Sequence, residues 1–353
     1  MNYKKKYNLD TLVVSTSSSW ALWIFRKKIL EDISKSYNII ILSRENFFLR
    51  KIIFRNKFYF LKHKLILFFK NILYLKNKKI KKFIEYDIKN LFFHLFAKLF
   101  LDYKLIVICA GLGSYYNNKG YFNFLEKIIL WIIFRPVNLV FFINKFDNKI
   151  LTKIIHKKNI TIPSEGYNLK FYPVKKKLNN KISFVLAARP IKEKGIIEYI
   201  KVSKNFPHYN FYLYIVGNDK NKIFYNSKIL NLHLIKSPKN LIIKKEVKNF
   251  VKEIRSYDCL ISNSYGEGFG NTLADATCAG IPIISTKTNG AKYIFKKKSL
   301  IWTEIKSLKS LQQNISKFLN LNQSQRITMV KNSRKDVLKI KTTNVLKKIK
   351  KYL

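Results

Sequence analysis

The sequence predicts an α/β protein with two doubly wound domains, each built on a parallel β-sheet. Short apolar runs alternate with segments of helical periodicity, and this alternation occurs once in each half of the chain. The 353 residues are 48% hydrophobic, which is too long for one small domain and sufficient for two cores. Such sheets bind ligands beyond the carboxyl ends of their strands. The chemistry is therefore expected in loops that follow strands.

The N-terminal half begins with the pattern of a strand, a loop, a helix and a second strand. An apolar run at residues 11–14 is followed by a serine-rich loop and a helical pattern over residues 20–36. Three further strands are predicted at residues 38–42, 105–109 and 139–143. The strand at 105–109 is followed by Gly111 and Gly113, which mark a tight turn or a loop facing a ligand.

A basic segment lies between these strands. Residues 51–104 contain 14 Lys and Arg against three acids, a net charge of +11, and aromatic residues are interleaved with the lysines. Two interpretations remain open. The segment could be amphipathic and lie at a membrane interface, or it could be an ordinary helix with a solvated lysine face.

The C-terminal half repeats the alternation. Strands are predicted at residues 182–187, 211–216, 259–262 and 281–285, and helices at residues 195–205, 247–255 and 272–279. Residues 157–181 are richer in Lys, Asn, Pro and Gly and are typical of a connection between domains. We therefore predict domains at 1–165 and 166–325, followed by a basic helix over 326–353 that could pack back toward the first domain.

Composition restricts the class of protein. The net charge of +49 is compatible with nucleic acid, anionic lipid or phosphorylated substrates, but the joint abundance of Lys, Asn, Ile, Phe and Tyr also indicates coding bias. Three scattered cysteines indicate reduced thiols, and none has zinc-ligand spacing. Charged residues interrupt every long apolar stretch, so neither a signal peptide nor a spanning helix is predicted. We expect a cytoplasmic protein.

One segment after the strand at 259–262 has the residues of a phosphate and sugar site. Glycines allow a backbone to approach a ligand, and the amide groups at a helix start attract a diphosphate. Carboxylates accept hydrogen bonds from sugar hydroxyls. The candidate donor-binding residues here are Glu267, Gly268, Phe269, Gly270, Asn271, Thr272 and Asp275, with Asn271 or Thr272 expected to cap the following helix.

The spacing from Glu267 to Asp275 resembles the E-x-F-G-x4-E motif of retaining glycosyltransferase family 4, which has the GT-B fold. The resemblance implies two Rossmann-like domains that face a central cleft. It also implies that Glu267 contacts the donor sugar and that Asp275, one methylene shorter than the family's glutamate, holds the ribose. Arg189 and Lys194 match the family's diphosphate clamp, and Gly217 matches a strand end beside the base. A clamp of fixed cations would stabilise a departing diphosphate.

Weaker matches extend the resemblance to bacterial enzymes that add sugars to lipid-linked surface-polysaccharide precursors. They lie at residues 19–33, 109–116 and 141–151, and they depart from the usual pattern at Ile24 and Ala110. Tyr293 likewise stands where the family has a glutamate. Candidates for the acceptor or the cleft are Ser19, Trp20, Arg26, Gly111 and Gly113, although Arg26 is equally compatible with a surface position.

The resemblance implies a retaining hexosyl- or N-acetylhexosaminyl-transferase. Its donor would be a nucleoside diphosphate sugar, expected to be a UDP-sugar, and its acceptor a hydroxyl of a lipid-linked capsule, O-antigen or lipopolysaccharide glycan. No cofactor or metal is expected, since the sequence has no D-x-D triplet. Peripheral contact with the anionic inner face of the plasma membrane is expected.

Two other classes remain open. A sugar-nucleotide epimerase of GT-B type would share the fold, but the sequence offers no convincing set of bases for C2 of the sugar. A non-catalytic nucleic-acid-binding protein would share the basic charge, but the aromatics lie mostly in apolar runs and no known module is visible. Nucleic acid is therefore not an expected partner.

Overall fold

The computed structural model describes residues 9–16, 21–22, 26–43, 59–62, 68–78, 80–112, 116, 121–216 and 237–353. The chain divides into two compact units. The N-terminal unit contains Met1–Ala110, Phe122–Gly166 and Thr342–Leu353, and the C-terminal unit contains Gly111–Tyr121 and Tyr167–Lys341. The main crossing from the first unit to the second lies close to the boundary that composition predicts at 165.

The N-terminal unit is built on a seven-stranded parallel sheet in the order β3-β2-β1-β4-β5-β6-β7. Its strands are β1 (Thr11–Thr16), β2 (Asn38–Ser43), β3 (Tyr59–Lys62), β4 (Ile80–Glu85), β5 (Lys104–Cys109), β6 (Leu139–Phe142) and β7 (Asn159–Thr161). The central strand β1 pairs with β2 on one side and β4 on the other. Its side chains Leu12, Val13 and Val14 have no solvent exposure, because helices cover both faces of a sheet of this kind.

Among the described residues of this unit, five helices precede the main chain crossing and one follows it. They are α1 (Lys27–Ile33), α2 (Phe68–Asn77), α3 (Leu91–Phe100), α4 (Phe124–Ile133), α5 (Lys145–Ile155) and, at the end of the chain, α12 (Thr342–Lys350). The side chains of Asn123 and Asn144 cap α4 and α5 by accepting hydrogen bonds from backbone N–H groups of the first turn.

The basic segment 51–104 does not form one helix, because its described part contains β3, α2, β4 and α3.

The C-terminal unit has a six-stranded parallel sheet in the order β10-β9-β8-β11-β12-β13. Its strands are β8 (Ser183–Ala188), β9 (Asn210–Ile215), β10 (Leu241–Lys245), β11 (Cys259–Ser262), β12 (Ile283–Thr286) and β13 (Ile301–Thr303). Its described helices are α6 (Ile196–Lys204), α7 (Phe250–Ile254), α8 (Asn271–Ala279), α9 (Asn289–Ile294), α10 (Leu308–Leu319) and α11 (Gln323–Val337). The prediction of two parallel-sheet α/β domains is confirmed.

Aromatic packing between the sheet and α6 forms the core of the C-terminal unit. The rings of Phe184 and Phe211 stack with centroids 5.1 Å apart, and both side chains are fully buried. Tyr199 of α6 is also fully buried, and its hydroxyl donates to the carbonyl of Phe184 or Tyr212. Because the hydroxyl group has a hydrogen-bond partner, burial of the Tyr199 ring stabilises the core without leaving a polar atom unpaired. This packing holds α6 against β8 and β9.

The C-terminal residues, predicted as one basic helix, form three elements. After α11 comes a 3₁₀ turn, Leu338–Ile340, and then α12, which belongs to the N-terminal unit. An ion pair of 2.6 Å between Lys350 and Asp32 holds α12 beside α1, and the Tyr37 hydroxyl donates to the carbonyl of Leu353 at 3.0 Å. Within the described residues, no helix combines the length and the apolar character that crossing a bilayer requires.

Candidate functional site

Three loops of the C-terminal unit meet beyond the carboxyl ends of β8, β11 and β12, which are neighbours in the sheet. The Asn263 side-chain amide donates to the carbonyl of Gly195 at 3.1 Å, and the Tyr265 N–H donates to the carbonyl of Glu193 at 2.8 Å. The Gly290 N–H donates to the carbonyl of Glu267 at 2.9 Å. These bonds join the loops that carry Lys194 and Glu267 to the start of α9.

Two glycines allow this close approach of the loops. A Cβ on Gly195 would lie 2.1 Å from the carbonyl oxygen of Asn263, and the residue has φ +64°. A Cβ on Gly290 would lie 2.5 Å from the carbonyl oxygen of Gly268 and 2.6 Å from the nitrogen of Phe269. Both contacts are with backbone atoms, which cannot move aside as a flexible side chain can. The sequence therefore needs glycine at each position.

Lys194 and Glu267 form the charged centre of the site. The Lys194 ammonium forms a short ion pair with Glu267 Oε1, and the Ser264 hydroxyl donates to the same oxygen at 2.7 Å. Burial by itself would raise the pKa of Glu267. The charge and hydrogen bond of Lys194, the Ser264 hydroxyl and the charge of Arg189 outweigh it and lower the pKa below its ordinary value. Glu267 is therefore ionised at neutral pH.

Arg189 is the second cation near Glu267. It follows the last residue of β8 directly and is exposed, whereas Lys194 is partly buried in its ion pair. The charge of Arg189 also contributes to the lowered pKa of Glu267, after the larger contributions of Lys194 and Ser264. The structure thus places Lys194, one member of the expected diphosphate clamp, in direct contact with Glu267, the expected sugar ligand.

Two of the three helices that start at this site, α6 and α8, begin without a side-chain cap. Gly195 stands at the N-cap of α6 and Gly270 at the N-cap of α8, each in the left-handed conformation. The other described helices of this unit, α7, α9, α10 and α11, all have a capping side chain. The prediction that Asn271 or Thr272 caps α8 is wrong, because both residues lie inside its first turn. Uncapped amide groups at a helix start form a site for an anion.

Asp275 lies one turn into α8 and is partly buried. Its Oδ1 accepts a short hydrogen bond from the Tyr167 hydroxyl. Burial raises the pKa of Asp275 to about 7, although the Tyr167 bond acts in the opposite direction. Burial and the neighbouring Asp275 also raise the pKa of Tyr167. The backbone of Tyr167 is fixed by its N–H, which donates to the carbonyl of Ile340 at 2.9 Å.

Several residues of the site were not selected from the sequence. Tyr167, Ser264 and Asn263 support Asp275, Glu267 and Gly195, and none of the three forms part of a short motif. Ser264 stands only three residues before Glu267, so its contact could have been suspected from spacing. The contact of Tyr167 spans 108 residues of sequence, and no local pattern indicates it.

The remaining candidates occupy different surroundings. Phe269, a residue of the glycine-rich loop, is buried. Gly111 belongs by contacts to the C-terminal unit, and a Cβ there would lie 3.5 Å from the Cα of Gly268. Tyr293, which stands in place of the family's glutamate, has its ring centroid 5.2 Å from the Lys339 ammonium, and burial raises its pKa. Four predicted site residues lie outside the described part of the chain: Ser19, Trp20, Gly113 and Gly217.

Arg26 is a buried member of an ion pair in the N-terminal unit. Its guanidinium group donates twice to Glu165, at 3.1 and 2.8 Å, and lies 3.9 Å from the ring centroid of Tyr86. Burial alone would lower the pKa of Arg26, but the Glu165 charge outweighs it and raises the pKa. The sequence predicted that Arg26 lies either at the surface or in the cleft, open to an acceptor. Both predictions are wrong, because Arg26 is buried and paired with Glu165. Within the described residues no group of three or more His, Cys, Asp or Glu could hold a metal ion.

Comparison with solved structures identifies the class of fold. An Anabaena protein, HepE, crystallised with UDP and glucose, superposes with a TM-score of 0.79 at 11% identity, covering 97% of this chain and 99% of that chain. Sucrose-phosphate synthase from Thermosynechococcus elongatus superposes with a TM-score of 0.81 at 13% identity, covering 97% and 98%. At such low identity these likenesses concern the fold alone. The fold is that of the GT-B glycosyltransferases.

Sequence comparison places the C-terminal unit more closely. Residues 170–336 match the profile of the family described as "Glycosyl transferases group 1". The chain is 27% identical over 233 residues to the capsular polysaccharide biosynthesis glycosyltransferase CapM of Staphylococcus aureus, and the match covers 60% of this chain and 59% of CapM. It is 27% identical over 215 residues to an uncharacterised glycosyltransferase of Methanocaldococcus jannaschii, covering 56% and 54%. The chain thus contains a group 1 glycosyltransferase domain, and it matches less than two thirds of the length of these two relatives.

Proposed function

We propose that this chain transfers a sugar from a nucleoside diphosphate donor to a hydroxyl group of a growing surface glycan. The observation that carries the proposal is the convergence of Lys194, Glu267 and the uncapped start of α8 on one edge of the sheet. Two fixed cations and amide groups suit a diphosphate, and a carboxylate beside them suits the attached sugar. CapM, whose name describes capsular polysaccharide biosynthesis, supports the class of product.

The donor is proposed to be a UDP-sugar. HepE has also been crystallised in complex with UDP-glucose, and that protein shares the fold over nearly its whole length. In the present chain, Arg189, Lys194 and the α8 amide groups would hold the diphosphate, while Asp275 would accept hydrogen bonds from the ribose. The short Tyr167 bond orients the Asp275 carboxyl group, so the shorter aspartate is held in place by a partner from the domain connection.

The proposed chemical step is the one that the resemblance to retaining glycosyltransferases implies. The bond between the anomeric carbon and the diphosphate oxygen breaks, and the acceptor hydroxyl forms a new bond on the same face of the sugar. Its proton passes to an oxygen of the departing diphosphate, so the step requires no separate protein base. Positive charge from Arg189 and Lys194 and the dipole of α8 would stabilise the negative charge that develops on the leaving group. No metal is invoked, and the configuration of the sugar is retained.

Lys194 would exchange partners during this cycle. In the described structure its ammonium group is paired with Glu267, and a bound diphosphate offers a second anion within reach of the same loop. The carboxylate of Glu267 would then accept hydrogen bonds from the sugar hydroxyls while Lys194 turns toward phosphate. Donor binding is thus expected to replace a protein ion pair with two ligand contacts, which compensates for part of the cost of separating the charges.

The acceptor is proposed to be a lipid-linked glycan at the cytoplasmic face of a membrane, and the transferred group a hexosyl or N-acetylhexosaminyl unit. Capsule, O-antigen and lipopolysaccharide precursors all fit this description. The N-terminal unit would supply the acceptor contacts, as the resemblance to the polysaccharide enzymes implies.

The test measures donor binding and turnover separately. Calorimetry with UDP, GDP and ADP should show the strongest binding for UDP, and UDP release from UDP-glucose or UDP-N-acetylglucosamine should require an added polyprenyl diphosphate-linked sugar. We expect Glu267→Gln to lower turnover by about 100-fold or more while UDP binding persists. Glu304→Gln, which removes an exposed acid of the same unit that is paired with Lys287, is the matched control.

Two outcomes would contradict the proposal. Unchanged turnover in Glu267→Gln would exclude this carboxylate from the reaction. Conversion of the UDP-sugar into an isomer without any acceptor would show an epimerase instead. Retention would be read from the anomeric proton coupling of the product, and activity that persists in excess EDTA would support a reaction without a metal.

A further inference from the structure

Helix α4 of the N-terminal unit is apolar except at Glu126 and Lys127 and yet lies at the surface. Its sequence, FLEKIILWII, contains only two charged residues, and none of its ten residues is buried. Phe124 is 78% exposed and Leu125 is 64% exposed. A helix that is apolar all round is normally found in a protein core or in contact with lipid. This surface is therefore not explained by the fold of the unit.

Helix α3 lies beside α4 and extends the same surface. Its inner side, Leu91, His94 and Ala97, packs onto the sheet. Its outer side carries four exposed apolar residues at helical spacing, Phe92, Phe96, Leu99 and Phe100, of which Leu99 is 75% exposed. Together the outer faces of α3 and α4, which we call the α3–α4 surface, present on the order of 800 Å² of apolar area. Monomeric proteins rarely expose an apolar patch of more than a few hundred Å².

The charge around the α3–α4 surface indicates the kind of partner that binds there. Residues 68–135 contain 12 Lys and Arg against four acids, a net charge of +8. At the end of α4 the Arg135 guanidinium lies 4.5 Å from the Trp131 ring, and both side chains are exposed. Tryptophan beside a basic side chain is typical of the boundary between lipid and water. One acid of α4, Glu126, is engaged in the helix cap rather than facing outward freely.

We propose that the α3–α4 surface inserts into the interface of an anionic lipid bilayer. A second copy of this chain is a poor alternative, because each copy has a net charge of +49 and like charges would face each other across the contact. A bilayer that contains anionic lipid supplies the opposite charge and an apolar phase for the aromatic residues. The helices are too short to cross the bilayer, so the protein lies on it.

This proposal rests on the membrane location in the proposed function and names the face responsible. The sequence predicted membrane contact through the basic segment 51–104, and the α3–α4 surface only partly coincides with that segment. The described part of that segment contributes α3 and the neighbouring helix α2, where Leu73 is also exposed. The rest of the apolar surface comes from α4, which lies beyond the segment. Bilayer contact at α3 and α4 would hold the N-terminal unit at the membrane surface, where a lipid-linked acceptor resides.

Flotation with vesicles tests the proposal. The full chain is mixed with phosphatidylcholine vesicles that contain about 30% phosphatidylglycerol, at about 0.15 M salt. We expect the variant Leu99→Glu/Phe124→Glu/Leu125→Glu to partition into the floating fraction about tenfold or more less than the unmodified chain. The control is Ile242→Glu/Ile243→Glu on β10, which also places acids at exposed apolar positions, 40% and 43% exposed, of the C-terminal unit.

The outcomes are distinct. Loss of flotation in the triple variant with retention in the control supports the proposal. Equal flotation of all three proteins overturns it, and so does equal binding to vesicles without anionic lipid. A dimer that the triple variant abolishes, with lipid binding unchanged, would show an interface between copies and also overturns it. UDP calorimetry on the triple variant separates this result from the proposed function, because its donor site lies in the other unit.

Discussion

Substitution of Gly290 by alanine tests whether the three loops of the site depend on close backbone contact. The added Cβ would lie 2.5 Å from the carbonyl oxygen of Gly268 and 2.6 Å from the nitrogen of Phe269. Ordinary contacts begin at about 3.4 Å, so the two loops must separate by roughly 0.9 Å. Because Glu267 immediately precedes Gly268, and its carbonyl accepts the Gly290 N–H, the carboxylate would shift with the loop.

The displacement is large enough to affect both stability and activity. Overpacking of this kind destabilises proteins by about 1–3 kcal/mol. That corresponds to a decrease in Tm of roughly 2–10 °C for a unit of this size. A misplacement of about 1 Å at a reacting group can lower turnover by about 100-fold. We therefore expect Gly290→Ala to lose at least about tenfold in affinity for UDP and more in turnover.

Differential scanning calorimetry and UDP titration measure these two effects. Gly270→Ala is the informative comparison, because its Cβ would meet the flexible Leu273 side chain at 3.2 Å rather than backbone. That variant should lose about 1 kcal/mol through its left-handed conformation, without moving Glu267. A Gly290→Ala protein with the Tm and UDP affinity of the unmodified chain would refute the inferred contact between the loops.

Three further expectations concern charged groups. Lys194→Ala, Glu267→Ala and the double variant are compared by urea unfolding. The two losses in free energy of unfolding should differ from additivity by about 1–3 kcal/mol, and additive losses would exclude the ion pair. Burial raises the pKa of Asp275 to about 7, so the folded chain binds a proton at this carboxyl group more tightly than the unfolded chain does. The stability of the fold therefore falls as the pH rises from about 4 to 7. Asp275→Asn should therefore gain about 1–2 kcal/mol relative to the unmodified chain at pH 8 but not at pH 4, and an equal difference in Tm at both pH values would contradict this. Arg26→Leu leaves the carboxylate of Glu165, which is only 13% exposed, unpaired and should lower the stability by about 3–5 kcal/mol. Lys27→Met, at an exposed pair of 3.9 Å, should change the stability by less than about 1 kcal/mol. Similar losses in both variants would argue against burial as the cause.

The sequence determined the alternation of strands and helices where apolar runs are uninterrupted. The strand and glycine-rich loop around 259–270 and the helix after it were predicted nearly to the residue, because a buried strand, glycines and a helical pattern are all local signals. β4 was missed although it lies in the middle of its sheet, since Lys81 and Lys82 interrupt its apolar pattern. Edge strands such as β10 were missed because half-exposed strands carry fewer apolar residues.

Tertiary structure alone decided which residues meet. The pairings of Tyr167 with Asp275 and of Arg26 with Glu165 span 108 and 139 residues, and they arise from the order of strands in a sheet rather than from any nearby motif. The same holds for the contact that excludes a side chain at Gly290. The sequence alone determined the fold class and the chemical types at the site, because periodicity and residue type are local properties. Distance, burial and pKa depend on neighbours brought from far along the chain, so only the folded structure could assign them.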